Sequence, residues 1–234
     1  MNESHLQFYQ RWQTLAQPYF QWQFEQFLPY LGQRVADLGC GLGNFVELLN
    51  NREFYIGLDS DQEMITAISE KYKQRKNMVF LKEDISRKEV YDYLRSQAVD
   101  TIFCVNVLEH LADDRLALNH MVEALPAGGK ICLLVPAHRS LFGSLDKLDG
   151  HYRRYAKRGF REILSTLPVE VEKLYYFNLA GALGWFFKSR VMRQYFQADE
   201  NFTLMNKLVP LLRILEGWIH PPLGLSLVAV LRKR

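Results

Sequence analysis

Short apolar runs alternate along the chain with segments whose apolar residues recur at helical spacing. The runs are rich in β-branched or aromatic residues and apolar on both faces, which is typical of parallel strands covered by helices on both sides. The predicted strands are Arg34–Gly39, Phe54–Asp59, Met78–Asp84, Val99–Val107 and Gly129–Pro136. The predicted helices between them are Asn44–Asn50, Gln62–Arg75, Arg87–Ser96 and Asp113–Ala124. This order of elements predicts an α/β fold with a mostly parallel sheet.

The last third of the chain departs from this alternation. Two more predicted strands, Val169–Phe177 and Leu225–Arg232, are separated by two helical patterns. The first pattern contains Leu183, Phe187, Val191 and Tyr195, and the second runs from Leu204 to Ile219. We expect one domain over residues 1–234, with an N-terminal helical cap at 1–30 and a helical insertion at 178–224.

The composition fits a globular protein rather than a disordered or fibrous one. Of the 234 residues 48% are hydrophobic and 24% are charged, and the formal net charge is +3. That charge is too small to indicate a nucleic-acid coat by itself. Three cysteines without pairing or metal-ligand spacing favour a reducing compartment. With no signal-peptide pattern and no apolar run of about 18 residues, we expect a cytoplasmic protein.

A glycine-rich segment begins at the end of the first predicted strand and is the most informative motif about the ligand. It has the sequence Asp37-Leu38-Gly39-Cys40-Gly41-Leu42-Gly43. Glycines allow a sharp turn and let a ligand approach the backbone. The spacing is GxGxG and not the GxGxxG of dinucleotide sites. Because Asp37 would repel a pyrophosphate and attract a cation, the segment favours a ligand with a cationic amino-acid group.

Polar side chains also end the next three predicted strands. Asp59 can accept hydrogen bonds from both hydroxyls of a ribose. Asp84 is placed to meet the exocyclic amine of an adenine, and Asn106, Glu109 and His110 follow the fourth strand. The order of these residues predicts a site for an adenosyl group attached to an amino acid.

These motifs resemble the class I S-adenosylmethionine-dependent methyltransferases between about Arg34 and Pro136. DLGCGLG resembles the first family motif, Glu83–Ile85 the adenine segment, and LPAGGKICLLVP the turn and strand after the fourth helix. The segment VPAHRSLFGSLDKLDGHYRRY resembles a bacterial subgroup often met among cell-surface glycan and lipid genes. The resemblance implies a Rossmann-like seven-stranded sheet of order 3-2-1-4-5-7-6 and S-adenosyl-L-methionine as cofactor. The expected cofactor-binding residues are Asp37, Gly39, Cys40, Gly41, Gly43, Asp59, Ser60, Asp84, Ile85 and Asn106.

Histidine is the natural acceptor for the proton of a methylated hydroxyl, because its pKa lies near neutrality. His151 lies in the loop after the fifth strand, where substrates bind, and is predicted to be a base or a substrate anchor. His110 is a second catalytic candidate, since it follows the fourth strand close to the transferred methyl. We interpret His5, His120 and His220 as structural.

The segment from His138 to Arg161 carries seven lysines and arginines against Asp146 and Asp149. Tyrosines interleave with the arginines, a combination suited to phosphate, carboxylate or a base, although a solvated loop would look the same. The predicted substrate-binding residues are His138, Arg139, Tyr152, Arg153 and Arg154.

Some related enzymes use a divalent metal ion beside a Glu-His pair and a later histidine. Glu109, His110 and His151 match such a set in residue type. Asn106, however, stands where the small-RNA 2′-O-methyltransferases have a glutamate, which removes a charged oxygen ligand. The sequence therefore predicts no metal.

The sequence favours methyl transfer to a hydroxyl oxygen of a small or lipid-linked, anionic acceptor. The insertion carries a group of aromatic residues that suggests a hydrophobic acceptor or a peripheral membrane contact: Trp185, Phe186, Phe187, Tyr195 and Phe196. The alternatives are that these residues form part of the core or a homodimer contact. Two other functions stay open: an RNA methyltransferase, and a cofactor-binding module without turnover.

Overall fold

The computed structural model describes residues 5–187, 199–218 and 221–234. The strands are β1 (Arg34–Leu38), β2 (Phe54–Asp59), β3 (Met78–Lys82), β4 (Thr101–Val105), β5 (Lys130–Pro136), β6 (Val169–Phe177) and β7 (Ser226–Lys233). The helices are α1 (His5–Leu15), α2 (Gln17–Glu25), α3 (Gln62–Lys71), α4 (Lys88–Ser96), α5 (Asp114–Ala124), α6 (Ser144–Leu148), α7 (Lys157–Leu164), α8 (Leu179–Trp185) and α9 (Asp199–Trp218).

The described strands form one seven-stranded sheet of order β3-β2-β1-β4-β5-β7-β6. The first five pair in parallel, and β7 pairs antiparallel with both β5 and β6. The order expected from the resemblance is therefore confirmed. Strand order reverses between β1 and β4, so the carboxyl ends of these strands open the crevice in which α/β sheets bind ligands.

Helices cover both faces of the sheet, as the apolar strands predict. One face packs against Val90 and Leu94 of α4, Leu118 of α5 and Phe160 of α7. The other packs against Phe24 of α2 and against residues of α3 and α9. The core therefore has two halves separated by a sheet whose central strands are buried on both sides.

The predicted helix Asn44–Asn50 is wrong, because this segment contains only a short 3₁₀ turn at Val46–Leu48. The reason lies in the packing of the N-terminal helices against this segment. Phe45 packs between the rings of Phe20 and Phe103, with centroid distances of 5.8 and 5.0 Å. Helices α1 and α2 thus occupy the face of the sheet that a longer helix would cover, and the chain turns directly into β2.

Helices α8 and α9 lie between β6 and β7, where the sequence predicts helical segments. Asn178 begins α8 in a left-handed conformation, and its side chain accepts a hydrogen bond from Gly181 N at 2.7 Å. The exact extents of the cap and the insertion stay predictions. Val191, Tyr195, Phe196 and His220 lie outside the described residues. Among the helices that the structure describes, none is both long and apolar enough to cross a bilayer.

Candidate active site

The glycine segment forms a tight loop between the end of β1 and the turn that leads to β2. Gly39, Gly41 and Gly43 all have positive φ, at +72°, +51° and +81°. A Cβ on Gly39 would lie 2.3 Å from Val107, and one on Gly43 would lie 2.4 Å from Ile68. On Gly41 it would meet only the Met64 sulfur, at 3.8 Å. Two glycines are thus required by packing, while Gly41 leaves space above the loop for a ligand.

Asp59 holds this loop in place from the end of β2. Its Oδ2 accepts a hydrogen bond from Gly41 N at 2.8 Å, and its Oδ1 accepts one from Asp61 N at 2.9 Å. A carboxylate has about four lone-pair positions, so each oxygen retains capacity for another donor. The loop and the predicted ribose acceptor are therefore one hydrogen-bonded unit.

Asp37 lies at the end of β1 and is 2% exposed. Its Oδ2 accepts a 2.8 Å hydrogen bond from the Tyr55 hydroxyl. Burial raises the pKa of Asp37 to about 7, and Asp59 adds to that effect while Tyr55 opposes it. Among the described residues, no lysine or arginine forms an ion pair with Asp37. A buried carboxylate in this setting is suited to a cationic ligand.

The other predicted cofactor-binding residues lie at the neighbouring strand ends. Asp84 is exposed after β3, and its hydrogen bond from Ser86 N, at 2.9 Å, lowers its pKa. Ile85 is buried beside it, and Ser60 is exposed after β2. Asn106 directly follows β4 and has φ +55°, a left-handed conformation that asparagine adopts more readily than most residues.

Cys40 lies within the same loop but is not exposed to a reactant. It is 3% exposed, and burial together with the charges of Asp37 and Asp59 raises its pKa well above the usual range. A thiol in this state is a packing residue and not a nucleophile.

Helix α1 adds a cover to the glycine loop that the sequence analysis missed. The Gln13 side-chain amide donates a 3.0 Å hydrogen bond to the Leu42 carbonyl. Burial raises the pKa of Tyr9, and the nearby carboxylates of Asp149, Asp59 and Asp61 raise it further. Tyr9 therefore lies within electrostatic range of the β2 end and of the loop after β5.

A second polar group, which we call the acceptor cluster, consists of Glu109, His110, Asp146 and His151. Glu109 follows β4 and is completely buried, and neither of its carboxylate oxygens has a hydrogen-bond partner. Burial raises the pKa of Glu109 to about 7, against the opposing charges of His151 and Arg154. An unpartnered buried carboxyl is costly and is a signature of a functional site.

His151 lies between two carboxyl groups of this cluster. Its Nδ1 is 3.0 Å from Asp146 Oδ1, and its Nε2 is 3.9 Å from Glu109 Oε1. Asp146 is fully buried and also receives the Arg154 Nε at 2.6 Å. Burial by itself would raise the pKa of Asp146, but the interactions with His151 and Arg154 outweigh burial and lower this pKa. An ionised Asp146 accepts a hydrogen bond from the Nδ1–H of His151. The lone pair of His151 Nε2 then faces Glu109.

His110 completes the cluster. Its ring meets that of His151 edge to face, with centroids 4.7 Å apart. Burial and the neighbouring His151 lower its pKa to about 4, so the imidazole is neutral near pH 7. The two histidines that the sequence singles out are therefore in direct contact.

The predicted substrate-binding residues have varied surroundings. Arg154 is 2% exposed, bonded to Asp146, and stacked 4.7 Å from the Trp185 ring. Arg153 pairs with Asp114 at 2.9 Å. Both arginines thus already have acidic partners, and their role toward a substrate stays a prediction.

Three further candidates come from the same loop. Tyr152 is 61% exposed and Arg139 is exposed. His138 has φ +59°, and its ring stacks on Tyr176 with centroids 4.5 Å apart. Tyr152 and Arg139 are the members of the predicted set whose side chains are open to solvent, and their contact with a substrate stays a prediction.

Asp146 was missed as a site residue by sequence reasoning, which counted it only as one acid within a basic loop. Its spacing of five residues from His151 carries no established motif. The contact arises because α6 turns the loop back on itself, with Asp146 Oδ2 accepting a hydrogen bond from Gly143 N at 2.9 Å. An acid near a candidate base is a usable signal only once this fold of the loop is known.

Comparisons with known proteins show similarity in sequence and in fold. Residues 36–131 match the model of a family described as a methyltransferase domain. The chain is 32% identical over 109 residues to a trans-aconitate 2-methyltransferase of Variovorax paradoxus, covering 45% of this chain and 39% of that protein. It is 31% identical over 124 residues to an (S)-coclaurine N-methyltransferase of Papaver somniferum, covering 50% and 34%. The matches span about two fifths or less of these relatives' lengths.

A solved structure extends the likeness over almost the whole fold. The S-adenosylmethionine-dependent methyltransferase from Archaeoglobus fulgidus superposes with a TM-score of 0.60 at 19% identity, over 93% of this chain and 95% of that one. The matched segment, the strand order and the polar residues at the strand ends agree with one another. Residues 36–131 thus match a methyltransferase domain, and the described strands have the order of the class I S-adenosylmethionine-dependent methyltransferases.

Proposed function

We propose that this protein transfers a methyl group from S-adenosyl-L-methionine to a hydroxyl oxygen of a small organic acceptor. The observation that carries the proposal is the row of carboxylates Asp37, Asp59 and Asp84 at the ends of β1, β2 and β3, with the open Gly41 between the first two.

The residues at these strand ends fit the parts of the cofactor. Asp37 supplies a buried negative charge for the amino-acid ammonium group, and Gly41 leaves room for the ligand where a side chain would intrude. Asp59 would accept hydrogen bonds from the ribose hydroxyls, and Asp84 would accept one from the adenine amine. Ile85 offers an apolar surface beside the base.

Bound S-adenosylmethionine supplies an activated methyl group with a good leaving thioether. The protein then has to align the acceptor and exclude water, which can provide much of the rate enhancement. The left-handed Asn106 and the 3₁₀ turn Leu108–His110 bring the acceptor cluster to the end of β4, next to the strand that carries the glycine loop.

His151 is the residue we assign to the acceptor's proton. Asp146 holds its Nδ1, so Nε2 is available to take a proton from a hydroxyl. His110, neutral and in contact with His151, is a second group able to orient the acceptor. We favour an oxygen acceptor over a nitrogen acceptor because a neutral amine can be methylated without a general base, whereas a hydroxyl needs a group such as His151 to accept its proton.

Labelled S-adenosylmethionine incubated with fractionated cell extract tests the proposal. We expect label in a small molecule whose new methyl is bound to oxygen, and much less label with the Asp59→Ala variant at the same cofactor concentration. Label in RNA would favour the RNA methyltransferase, and label on nitrogen or carbon would refute the hydroxyl assignment. S-adenosylhomocysteine binding without any labelled product would indicate a binding module.

A lipid-linked, anionic acceptor is a narrower candidate, supported by apolar side chains at the end of α8. Leu183 and Phe187 are 58% and 57% exposed, while Trp185 in the same turn stacks over Arg154. Lys188, Arg190 and Arg193 follow these residues in the sequence and lie outside the described residues. Flotation with anionic liposomes at low salt tests this candidate: protein that stays soluble, together with a water-soluble product, would rule it out.

A further inference from the structure

We propose that Trp185, at the end of helix α8, is a positioning residue for methyl transfer. It acts on the base His151 through the two residues that lie between them, Arg154 and Asp146. The insertion between β6 and β7 is then a part of the active site and not only of the surface of the fold. The inference rests on the role proposed above for His151, and its first test does not require turnover.

One oxygen of Asp146 is the point at which His151 and Arg154 meet. Asp146 Oδ1 is 3.0 Å from His151 Nδ1 and 2.6 Å from Arg154 Nε. Because both contacts use the same oxygen, the direction of the carboxylate depends on where the guanidinium group lies. If that group moved away, Asp146 could turn, and the Nδ1–H of His151 would lose the fixed acceptor that holds the imidazole in one tautomer.

The guanidinium group of Arg154 is held at its edge by hydrogen bonds and covered by an aromatic ring. Arg154 Nη1 donates a 3.2 Å hydrogen bond to the Ala137 carbonyl, beside the bond from Nε to Asp146. The Arg154 Cζ atom lies 4.7 Å from the centroid of the Trp185 ring. Guanidinium groups stack on aromatic faces, and this attraction is stronger where water is excluded. The Trp185 ring therefore shields the cation from water and keeps it against Asp146.

The contact of Trp185 with Arg154 uses the face of the ring and not its N–H group. Trp185 Nε1 is buried and has no hydrogen-bond partner among the residues that the structure describes. The side chain is half-buried and belongs to neither half of the core around the sheet. A phenylalanine at this position would therefore retain the contact, whereas an aliphatic side chain would lose it.

Helix α8 is fixed at its first turn, which determines where Trp185 lies. Glu216 of α9 accepts hydrogen bonds from Asn178 N at 2.8 Å and from Leu179 N at 2.7 Å. The Asn178 side chain accepts one from Gly181 N, and a Cβ on Gly181 would lie 2.3 Å from that side chain. The insertion thus holds the start of the helix firmly, and Trp185 follows at its other end.

Nitrogen NMR of the histidine rings tests the inference without turnover. The protein is isotope-labelled at histidine and studied at alkaline pH, where an imidazole is neutral, and the His151 signals are assigned by their loss in His151→Gln. In the wild-type protein we expect the proton on Nδ1 and none on Nε2. Trp185→Leu should mix the two tautomers, whereas Trp185→Phe should keep the wild-type tautomer. Tyr93→Leu, the same type of exchange at an exposed position of α4, is the matched control.

Turnover is the second measurement, made with the extract fraction that the wild-type protein labels. Trp185→Leu should lower kcat by about tenfold or more, because the base loses its orientation, while affinity for S-adenosylhomocysteine stays within about twofold. Trp185→Phe should restore most of this rate. If Trp185→Leu does not fold, Arg154→Lys tests the same contact, because lysine keeps the charge but loses the planar group, and it should mix the tautomers as well.

An unchanged His151 tautomer in Trp185→Leu would overturn the inference. A tautomer lost equally in Trp185→Phe would also overturn it, because the aromatic face would then not be the cause. A raised KM with unchanged kcat would mean that Trp185 binds the acceptor directly, and would equally contradict a positioning role. If the wild-type protein labels no hydroxyl, the proposed function fails, and the tautomer comparison still decides the role of Trp185.

Discussion

The Tyr55 hydroxyl of β2 donates a 2.8 Å hydrogen bond to Asp37 of β1, across two strands that pair in parallel. Asp37 begins the glycine-rich segment, and burial raises its pKa to about 7. Tyr55 stabilises the ionised form of Asp37 and so keeps this carboxyl close to the point at which it changes charge near neutral pH.

We predict that affinity for S-adenosylhomocysteine increases with pH up to about 7. An ammonium group favours ionised Asp37, so below its pKa binding must release a proton, and affinity should fall by up to about tenfold per pH unit. Calorimetry between pH 5 and 8 measures this slope. Asp37→Asn should bind weakly with a flatter profile; a wild-type affinity that does not change over this range would contradict the assigned role of Asp37.

Tyr55→Phe should shift the same profile to higher pH. Loss of the hydrogen bond removes an interaction that lowers the pKa of Asp37, so more protein carries the neutral carboxyl at pH 7. Because both groups are buried, we also expect a loss of about 1–3 kcal/mol in the free energy of unfolding. Chemical denaturation and calorimetry of the same preparation separate the two effects. An unshifted profile in a destabilised variant would limit Tyr55 to a packing role.

Asp59→Ala should weaken S-adenosylhomocysteine binding by about 2–4 kcal/mol, because two ribose hydroxyls lose a charged acceptor. Part of the loss comes through the glycine loop, since Asp59 also accepts from Gly41 N. Glu63→Gln, an exposed change on the neighbouring α3, is the control. Unchanged affinity in a folded Asp59→Ala protein would refute the ribose assignment.

His151→Ala should lower turnover about 100-fold while cofactor affinity stays nearly constant, as expected for a residue that moves a proton. Asp146→Asn should lower turnover and change its pH profile, because the Nδ1 partner of His151 loses its charge. Steady-state rates beside calorimetry distinguish these effects from a general loss of structure. If His110→Ala shows the large effect and His151→Ala does not, the base is His110.

The sheet and its cofactor end could be predicted because both depend on local patterns. Apolar runs mark the buried strands, and the carboxyl ends of parallel strands must meet at one edge, which brings together Asp37, Asp59 and Asp84. The predicted strands Phe54–Asp59 and Val169–Phe177 agree with the structure to the residue. Errors at other strand ends reach two residues at most.

The acceptor cluster was less predictable, because its contacts join segments whose approach depends on a loop. Asp146 and Arg154 look like exposed charges in sequence, yet each is buried because each neutralises the other at 2.6 Å. The wrong helix at Asn44–Asn50 has a similar origin, since the aromatic side chains that displace it come from α2. The hydrophobic pattern of a segment does not show that side chains from another part of the chain will occupy the surface it would cover.

The position of β7 bears on how the protein is made. This strand is the last of the seven to leave the ribosome, yet it lies inside the sheet, hydrogen-bonded to β5 on one side and β6 on the other. Until it emerges, a nascent chain exposes the apolar edge of β5, an edge able to pair with a neighbouring chain. Completion of the sheet is therefore delayed until β7 has been synthesised, and during this interval the exposed edge of β5 is a site at which chains can mispair.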